Sequence, residues 1–221
     1  MTQLSENLNK IKKSIDQINP KAKLLAVTKS VDASTIKALA ELGVIAFGEN
    51  RSDALLEKQA ALSSLEKTIE WHFIGRLQTR QVRTIINQID YLHSLDRLSL
   101  AKEIQKRADH EIKCFVQVNV SGEESKAGFK PEELIDQIHV LSQFDKIKIV
   151  GLMTMAPYEA TDDALHQIFK TLKELQMTIS QQNLAYAPCH ELSMGMSHDY
   201  PIALSEGATI VRIGTALFEG I

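Results

Sequence analysis

The sequence has few of the features that mark a secreted, metal-binding or membrane protein. Its 221 residues include only two cysteines, Cys114 and Cys189. Although Cys189 precedes His190, no second pair at ligand spacing accompanies them, so we expect no metal site. The N-terminus lacks the unbroken apolar core of a signal peptide, and no apolar run reaches membrane-spanning length. We therefore expect a cytoplasmic protein without a membrane partner.

The sequence also lacks an excess of positive charge. Lysine and arginine number 25 against 28 acidic residues, a net charge of −3, and the pI is about 6.2. No basic stripe with interleaved aromatic residues is present, so we expect no nucleic-acid partner. No strand leads into a Gly-x-Gly-x-x-Gly turn, which argues against a dinucleotide-binding sheet.

What the sequence does contain is a regular alternation of apolar strands and amphipathic helices. Helical stripes of apolar residues cover residues 32–43, 131–144 and 162–182. Eight strands alternating with helices predict a parallel sheet, and the count of eight favours closure into a (β/α)8 barrel over an open sheet. The predicted strands are residues 23–29, 45–49, 70–75, 91–95, 113–119, 147–154, 191–195 and 209–214.

The predicted barrel has one helix added and one missing. An apolar face of Leu4, Leu8, Ile11 and Ile15 predicts an extra N-terminal helix over about residues 4–17, packed on the outside of the barrel. The sequence ends just after the eighth strand, so we expect no helix there. A chain of this length fits a single domain over residues 1–221.

Polar residues gather at the carboxyl ends of the predicted strands, where a parallel barrel has its site. The apolar strand 23–29 ends on Lys29, which shares a face with Leu25 and Val27 and should point inward. In the eighth strand, Arg212 takes the same inward position, which is costly unless its hydrogen bonds are accepted. A salt bridge to a core carboxylate is the alternative interpretation of Arg212.

The ends of the seventh and eighth strands have the chemistry of a phosphate site. Ser197 is predicted as the N-cap of a helix with Pro201 just inside, which would aim unpaired N–H groups at the barrel mouth. Gly214 allows close approach of a backbone, and Thr215 adds a hydroxyl. A lysine, an arginine and a phosphate cradle at one mouth suit pyridoxal 5′-phosphate (PLP). They also fit a cofactor-free Schiff-base aldolase in which Lys29 attacks a sugar carbonyl.

A series of short motifs makes the interpretation more specific. The chain resembles the pyridoxal phosphate homeostasis protein family, whose members are similar to the N-terminal barrel domain of alanine racemase. The resemblance runs from about residue 25 to residue 219. The motifs that carry it are AVTKS, FGENR, WHFIGRLQ, SLDR, VQVNVSGEESKAGF, GLMTMAP, LSMGMSHD and VRIGTALFEG.

The resemblance implies particular roles for seven residues. The lysine at position 29 carries the cofactor as an internal aldimine, and Arg212 faces the ring nitrogen. The arginine would keep that nitrogen unprotonated and weaken the ring as an electron sink. The remaining matches are the phosphate-binding positions Ser197, Gly214 and Thr215, and the positions near the cofactor, Asn50 and Met194.

Four further positions are open or depart from the family pattern. Arg80 stands where the family commonly has a lysine, and Glu219 where glycine is usual. Lys126 matches a loop lysine proposed to take part in cofactor exchange, or is an ordinary surface lysine. His72 faces either the cofactor ring or the protein core.

Two functions of a PLP site remain to be distinguished. One is a carrier or regulator in PLP homeostasis, with little or no catalysis and with apo PLP-dependent enzymes as partners. The other is an amino-acid racemase or decarboxylase. Alanine racemase uses a second, β-rich domain that supplies an opposing tyrosine base, and we expect this chain to lack that domain. Because racemisation needs two positioned groups, we favour the carrier, acting as a monomer.

Overall fold

Eight parallel strands close into a barrel in the computed structural model, which describes residues 2–123 and 126–221, with only the backbone of residues 66–68. Neighbours in sequence are neighbours in the sheet, and β1 pairs with both β2 and β8. The predicted barrel is therefore confirmed. The strands are β1 (Lys23–Val27), β2 (Ala46–Glu49), β3 (Glu70–Phe73), β4 (Tyr91–Leu95), β5 (Ile112–Gln117), β6 (Ile147–Met153), β7 (Glu191–Ser193) and β8 (Ile210–Ile213).

Helices cover the outside of the barrel between consecutive strands. Some begin at a side-chain cap: Asp32 accepts from the N–H of Thr35, and Thr161 accepts from that of Ala164. Short 3₁₀ segments occupy 63–68, 86–88 and 131–133. The helices are α1 (Gln3–Ile18), α2 (Ala33–Glu41), α3 (Ser52–Ala61), α4 (Thr79–Ile85), α5 (Leu98–Arg107), α6 (Leu134–Leu141), α7 (Asp162–Ser180), α8 (Tyr200–Ser205) and α9 (Thr215–Phe218).

The period of the strands separates two apolar layers. Residues on one face of each strand pack with the helices in the large outer core. Residues on the other face fill the barrel interior. The inner cluster consists of Leu25, Ala46, Phe115, Met153 and Ile210, all buried.

The C-terminal end of the chain differs from the prediction. A short helix, α9, follows β8, so the expectation of no helix there was wrong. The predicted N-terminal helix α1 is confirmed, and it packs against both α8 and α9. The side-chain amide of Asn7 donates to the carbonyls of Leu217 at 3.1 Å and Glu219 at 2.9 Å. These two hydrogen bonds hold the segment around the end of α9 against the N-terminal helix.

Both cysteines are unpaired and buried in the outer core. Burial raises the pKa of the Cys114 thiol and raises that of Cys189 to about 12, so both are neutral thiols at neutral pH. Within the described ranges no group of three or more histidine, cysteine or acidic side chains has a metal-binding arrangement. None of the helices described is long and apolar enough to cross a membrane.

Candidate functional site

A cavity of about 430 Å³ lies at the carboxyl ends of the strands, on the side of the barrel that the sequence predicted. Its size falls in the range of small-molecule sites, roughly 300–1,000 Å³. Segments that follow most of the strands contribute to it. It is lined by Val27, Lys29, Asn50, Ile74, Gly75, Arg76, Met153, Met155, Tyr158, Met196, Ser197, His198, Arg212, Gly214 and Thr215.

Lys29 reaches the cavity because of the strand period. Leu25 lies in the inner core, Val27 lines the cavity floor and Lys29, two residues further, lines it above the strand end. Its side chain is exposed to solvent there. An amine in this position is available to a ligand that enters the mouth.

A buried ion pair supports the strand end just before Lys29. Lys58 Nζ lies 2.6 Å from Glu49 Oε1 and donates to the Thr28 carbonyl at 2.8 Å. The Thr28 hydroxyl donates to the same carboxylate oxygen at 2.6 Å. All three residues are buried. The network joins the residue after β1 to β2 and α3, and it holds the backbone from which Lys29 projects.

Arg212 is buried in the barrel and is one of the residues that line the cavity. Nη1 donates to Ser193 Oγ at 2.7 Å and Nη2 donates to the Thr154 carbonyl at 2.9 Å. Its acceptors are a hydroxyl and a backbone carbonyl. The alternative interpretation, a salt bridge between Arg212 and a core carboxylate, is therefore wrong. Burial lowers the pKa of Arg212 to about 10, opposed by the charge of Asp199. The residue is a cation at neutral pH.

Two hydroxyls and a glycine line the side of the cavity near β8. Ser197 Oγ accepts from the N–H of Ala216 at 3.2 Å, so the loop after β7 is joined to the start of α9. A Cβ at Gly214 would lie 3.2 Å from the Val27 carbonyl oxygen, so a side chain there would crowd the end of β1. Thr215 is exposed beside it.

The predicted cap of the preceding helix was wrong. Helix α8 begins at Tyr200, and Asp199, not Ser197, occupies its N-cap position. The helix therefore begins two residues later than expected. Asp199 Oδ1 accepts from the Met196 N–H at 2.5 Å in the loop before it. Ser197 is thereby left on the cavity wall, where its hydroxyl bonds to the α9 segment.

The two residues predicted near a cofactor have different positions. Asn50 lines the cavity, and its backbone lies against Gly75, where an added Cβ would come within 2.2 Å of the Asn50 carbonyl oxygen. Met194 is fully buried in the outer core and does not belong to the described cavity lining. Its neighbour Met196 lines the cavity instead.

The sequence reasoning missed part of the rim. Arg76 is largely exposed, with its Nε 3.4 Å from Asp96 Oδ2. Met155 and Tyr158 are exposed, and the Tyr158 ring lies 4.9 Å from that of His198. The Met-x-Met-x-x-Tyr pattern at the end of β6 was a usable signal, because side chains just beyond a barrel strand end tend to face the mouth.

The two open positions lie apart from the main cavity. His72 is buried inside the barrel, hydrogen-bonded to His93 and stacked on Tyr91 at 4.4 Å. It borders a small cavity near the amino ends of the strands, so it is a core histidine. Lys126 forms an ion pair with Glu123 and borders a small cavity that shares Met155 with the main one.

Comparison with known protein families gives the class to which this barrel belongs. Residues 1–220 match the family described as alanine racemase, N-terminal domain. The chain is 41% identical to the pyridoxal phosphate homeostasis protein of Aquifex aeolicus, over 97% of this chain and 95% of the relative. It is 37% identical to the protein of the same name from Synechocystis, over 92% and 94%. The chain belongs to the pyridoxal phosphate homeostasis protein family.

Solved structures agree with this assignment. PipY of Synechococcus elongatus without PLP superposes with a TM-score of 0.90 at 34% identity, over 98% of this chain and all of the other. The same protein with PLP bound gives 0.87 at 33%, with the same coverage. Alanine racemase of Corynebacterium glutamicum gives 0.73 at 15% identity, over 99% of this chain and 62% of the enzyme, and shares the fold alone.

Proposed function

We propose that this chain binds PLP at the barrel mouth, covalently through Lys29, and acts in PLP homeostasis as a carrier with little or no catalysis. The observation that carries the proposal is the convergence of an amine, a buried guanidinium and two hydroxyls beside a glycine in one cavity. PLP has a group for each of these: an aldehyde, a ring nitrogen and a phosphate. The PLP-bound form of PipY supports the same interpretation.

Different residues of the cavity would bind different parts of PLP. When bound, PLP supplies an electrophilic aldehyde and an electron-withdrawing ring. Lys29 provides the amine for the covalent bond, and Ser197, Gly214 and Thr215 form the phosphate cradle. Arg212 would face the ring nitrogen and, as a cation, would disfavour its protonation. Asn50 lines the cavity just after β2 and would lie beside the cofactor, whereas Met194 is fully buried outside the cavity lining.

The openness of the mouth favours a carrier over a racemase or decarboxylase. Lys29 is exposed, and Tyr158, the tyrosine in the cavity lining, is 82% exposed. A phenol in this setting is poorly placed to act as the second acid–base group that racemisation needs. An open mouth also admits water, which enzymes of carbanion chemistry exclude. The same openness suits transfer of the cofactor to another protein.

The partners we propose are apo PLP-dependent enzymes, approached by a monomeric, cytoplasmic carrier. The exposed Met155 and Tyr158 beside the cationic Arg76 would meet the acceptor at the mouth. Light scattering should give the mass of a single chain, 24.7 kDa. A stable dimer would contradict the monomer.

The first experiment tests the covalent site. Purified protein mixed with PLP should show a visible absorbance band that borohydride abolishes, leaving the adduct on the peptide that contains Lys29. Lys29→Ala should lose the adduct and keep the fold, because its side chain is exposed at the mouth and outside the packed core. Lys37→Ala, an exposed lysine on α2, is the control and should keep the adduct. An adduct that persists in Lys29→Ala would refute the assignment.

The second experiment tests the carrier against the enzyme. Loaded protein should restore activity to an apo PLP-dependent enzyme. Its exchange of the α-hydrogen of either alanine enantiomer with deuterated water, followed by NMR, should be very slow. Exchange on the order of 1 per second, an ordinary enzymatic rate, would favour the racemase. Failure to reactivate the acceptor would contradict the carrier.

A further inference from the structure

A line of buried polar side chains runs through the barrel interior from one end to the other. Arg212 Nη1 lies 2.7 Å from Ser193 Oγ, Ser193 Oγ lies 2.8 Å from His93 Nδ1, and His93 Nε2 lies 2.9 Å from His72 Nδ1. All four residues are at most 4% exposed. Arg212 borders the mouth cavity, and His72 borders the small cavity near the strands' amino ends.

The direction of donation along this line follows from the chemistry of its first member. A guanidinium only donates, so Ser193 Oγ accepts from Arg212. The serine hydrogen is then directed at His93 Nδ1, which lies within hydrogen-bond distance. Had His93 Nδ1 carried a proton, the serine would accept twice and its own buried hydrogen would be left without this acceptor.

This acceptor role determines the tautomers of both histidines. Neutral His93 carries its proton on Nε2 and donates to His72 Nδ1, and His72 in turn carries its proton on Nε2. That nitrogen lies 3.8 Å from Glu70 Oε2 and has no hydrogen-bond partner in the described part of the chain. Burial lowers the pKa of both histidines, which keeps them neutral.

We propose that Ser193 and His93 are positioning residues, which hold the Arg212 guanidinium in the plane that it presents to the mouth cavity. A serine hydroxyl alone would rotate between acceptors. His93 orients it, and His93 is itself held by its hydrogen bond to His72 Nδ1 at 2.9 Å. With Thr154 as the second acceptor, the planar Arg212 fork is anchored at both terminal nitrogens.

The proposal deepens the proposed function and rests on it, since it assigns the support of the group facing the cofactor ring. These residues are not part of the covalent or phosphate contacts. They act through Arg212. Their loss should therefore alter how Arg212 is held and the electronic state of the bound ring, while the adduct on Lys29 still forms.

The first arm of the test uses cofactor-free protein. ¹⁵N NMR of the side chains at about pH 7 should show His93 and His72 as Nε2–H tautomers and a sharp Arg212 guanidinium signal. Ser193→Ala should change the His93 tautomer ratio and broaden the Arg212 signal. Phe115→Leu, which alters packing on the His93 ring but removes no hydrogen bond, is the control and should keep both signals. His93→Leu removes the acceptor of the serine hydrogen and should broaden the Arg212 signal, whereas His93→Gln should keep it sharp, because the amide offers an acceptor and a donor. A sharp Arg212 signal in a folded His93→Leu protein would overturn the role of His93.

The second arm uses protein loaded with PLP. Ser193→Ala should shift the absorbance maximum of the bound cofactor in the same direction as Arg212→Lys, whereas Phe115→Leu and His93→Gln should leave it in place. Borohydride should trap the adduct in all of them, which separates this effect from loss of binding.

The two arms keep the two proposals apart. If the wild-type protein binds no PLP, the proposed function fails and the first arm alone decides the roles of Ser193 and His93. Unchanged Arg212 and His93 signals in Ser193→Ala would overturn the positioning role whatever the absorbance shows. A loaded Ser193→Ala protein with wild-type absorbance would also overturn it.

Discussion

At the scale of single residues, the site depends on buried charges that never touch the cavity. Glu49 and Lys58 form an ion pair behind the end of β1, with side chains 0% and 11% exposed. Taking such charges out of water is costly, and only mutual pairing and further hydrogen bonds compensate. Here Thr28 supplies those bonds through its hydroxyl and its carbonyl. The residue before Lys29 is therefore fixed by electrostatics rather than by apolar packing.

Removing one member of this pair should be far worse than removing both. Lys58→Met leaves the Glu49 carboxylate buried without its cation, and we expect the free energy of unfolding to fall by about 3–5 kcal/mol. The double variant Lys58→Met, Glu49→Gln should recover part of that loss, since no net charge remains buried. Urea unfolding measures both. A loss below about 1 kcal/mol for the single variant would mean that the pair is effectively solvated.

At the scale of elements, the connection from β7 to α8 determines the shape of one cavity wall. Gly195 has a φ of +92°, and a Cβ there would lie 2.6 Å from Ala203 Cβ. The absence of a side chain lets α8 pack directly on the loop that carries Met196 and Ser197. Backbone conformation and close approach thus act together at this turn.

A pair of glycine variants can separate these two effects. Gly207, after α8, has almost the same φ of +93°, but a Cβ added there would meet no heavy atom closer than 3.7 Å. Gly207→Ala should lose about 1–2 kcal/mol of unfolding free energy from the left-handed backbone alone. Gly195→Ala should lose roughly a further 1–3 kcal/mol through overpacking, and should weaken PLP binding. Equal losses in thermal or urea unfolding would show that the contact with α8 relaxes without strain.

At the scale of the whole molecule, the barrel interior is polar along one line. His72 and His93 are buried inside it, where the His93 ring stacks on Phe115 of the inner cluster and the His72 ring stacks on Tyr91. Burial lowers the pKa of both, while Glu70 partly opposes this for His72 and Arg212 adds to it for His93. The folded protein therefore binds protons at these sites more weakly than the unfolded chain.

This difference predicts how stability depends on pH. The unfolded histidines take up protons near pH 6.5, so their contribution to stability is complete above that value. It is lost progressively as the pH falls from there toward the lower pKa values of the folded state. Between about pH 7 and pH 5 the unfolding free energy should decline by up to ~1.4 kcal/mol per pH unit for each histidine. Urea unfolding across this range should show a smaller decline in His93→Gln. An identical decline would assign the effect to other groups.

Much of this architecture was determined by the sequence itself. Side chains alternate between the two faces of every strand, so the sequence predicts which of them point into the barrel. In β1 and just after it these are Leu25, Val27 and Lys29, and in β8 they are Ile210 and Arg212. The closed barrel could be predicted because strands and amphipathic helices are each recognised from the spacing of apolar residues within a short segment. The family motifs predicted that the lysine, the arginine and the hydroxyls meet at one end of the barrel. In the structure five of the predicted neighbours of Lys29 line the same cavity.

Only the tertiary structure decided what depends on contacts between distant segments. His93 meets Ser193 across 100 positions of sequence, and Asn7 bonds to Leu217 across 210. No local pattern encodes such distances, because they follow from the register and closure of the barrel. The cap at Asp199, the helix after β8 and the burial of Met194 also depend on how neighbouring segments pack. The sequence determined the order of the strands and helices and which side chains face the barrel interior. Closure of the barrel decided which of the buried polar side chains form hydrogen bonds with one another.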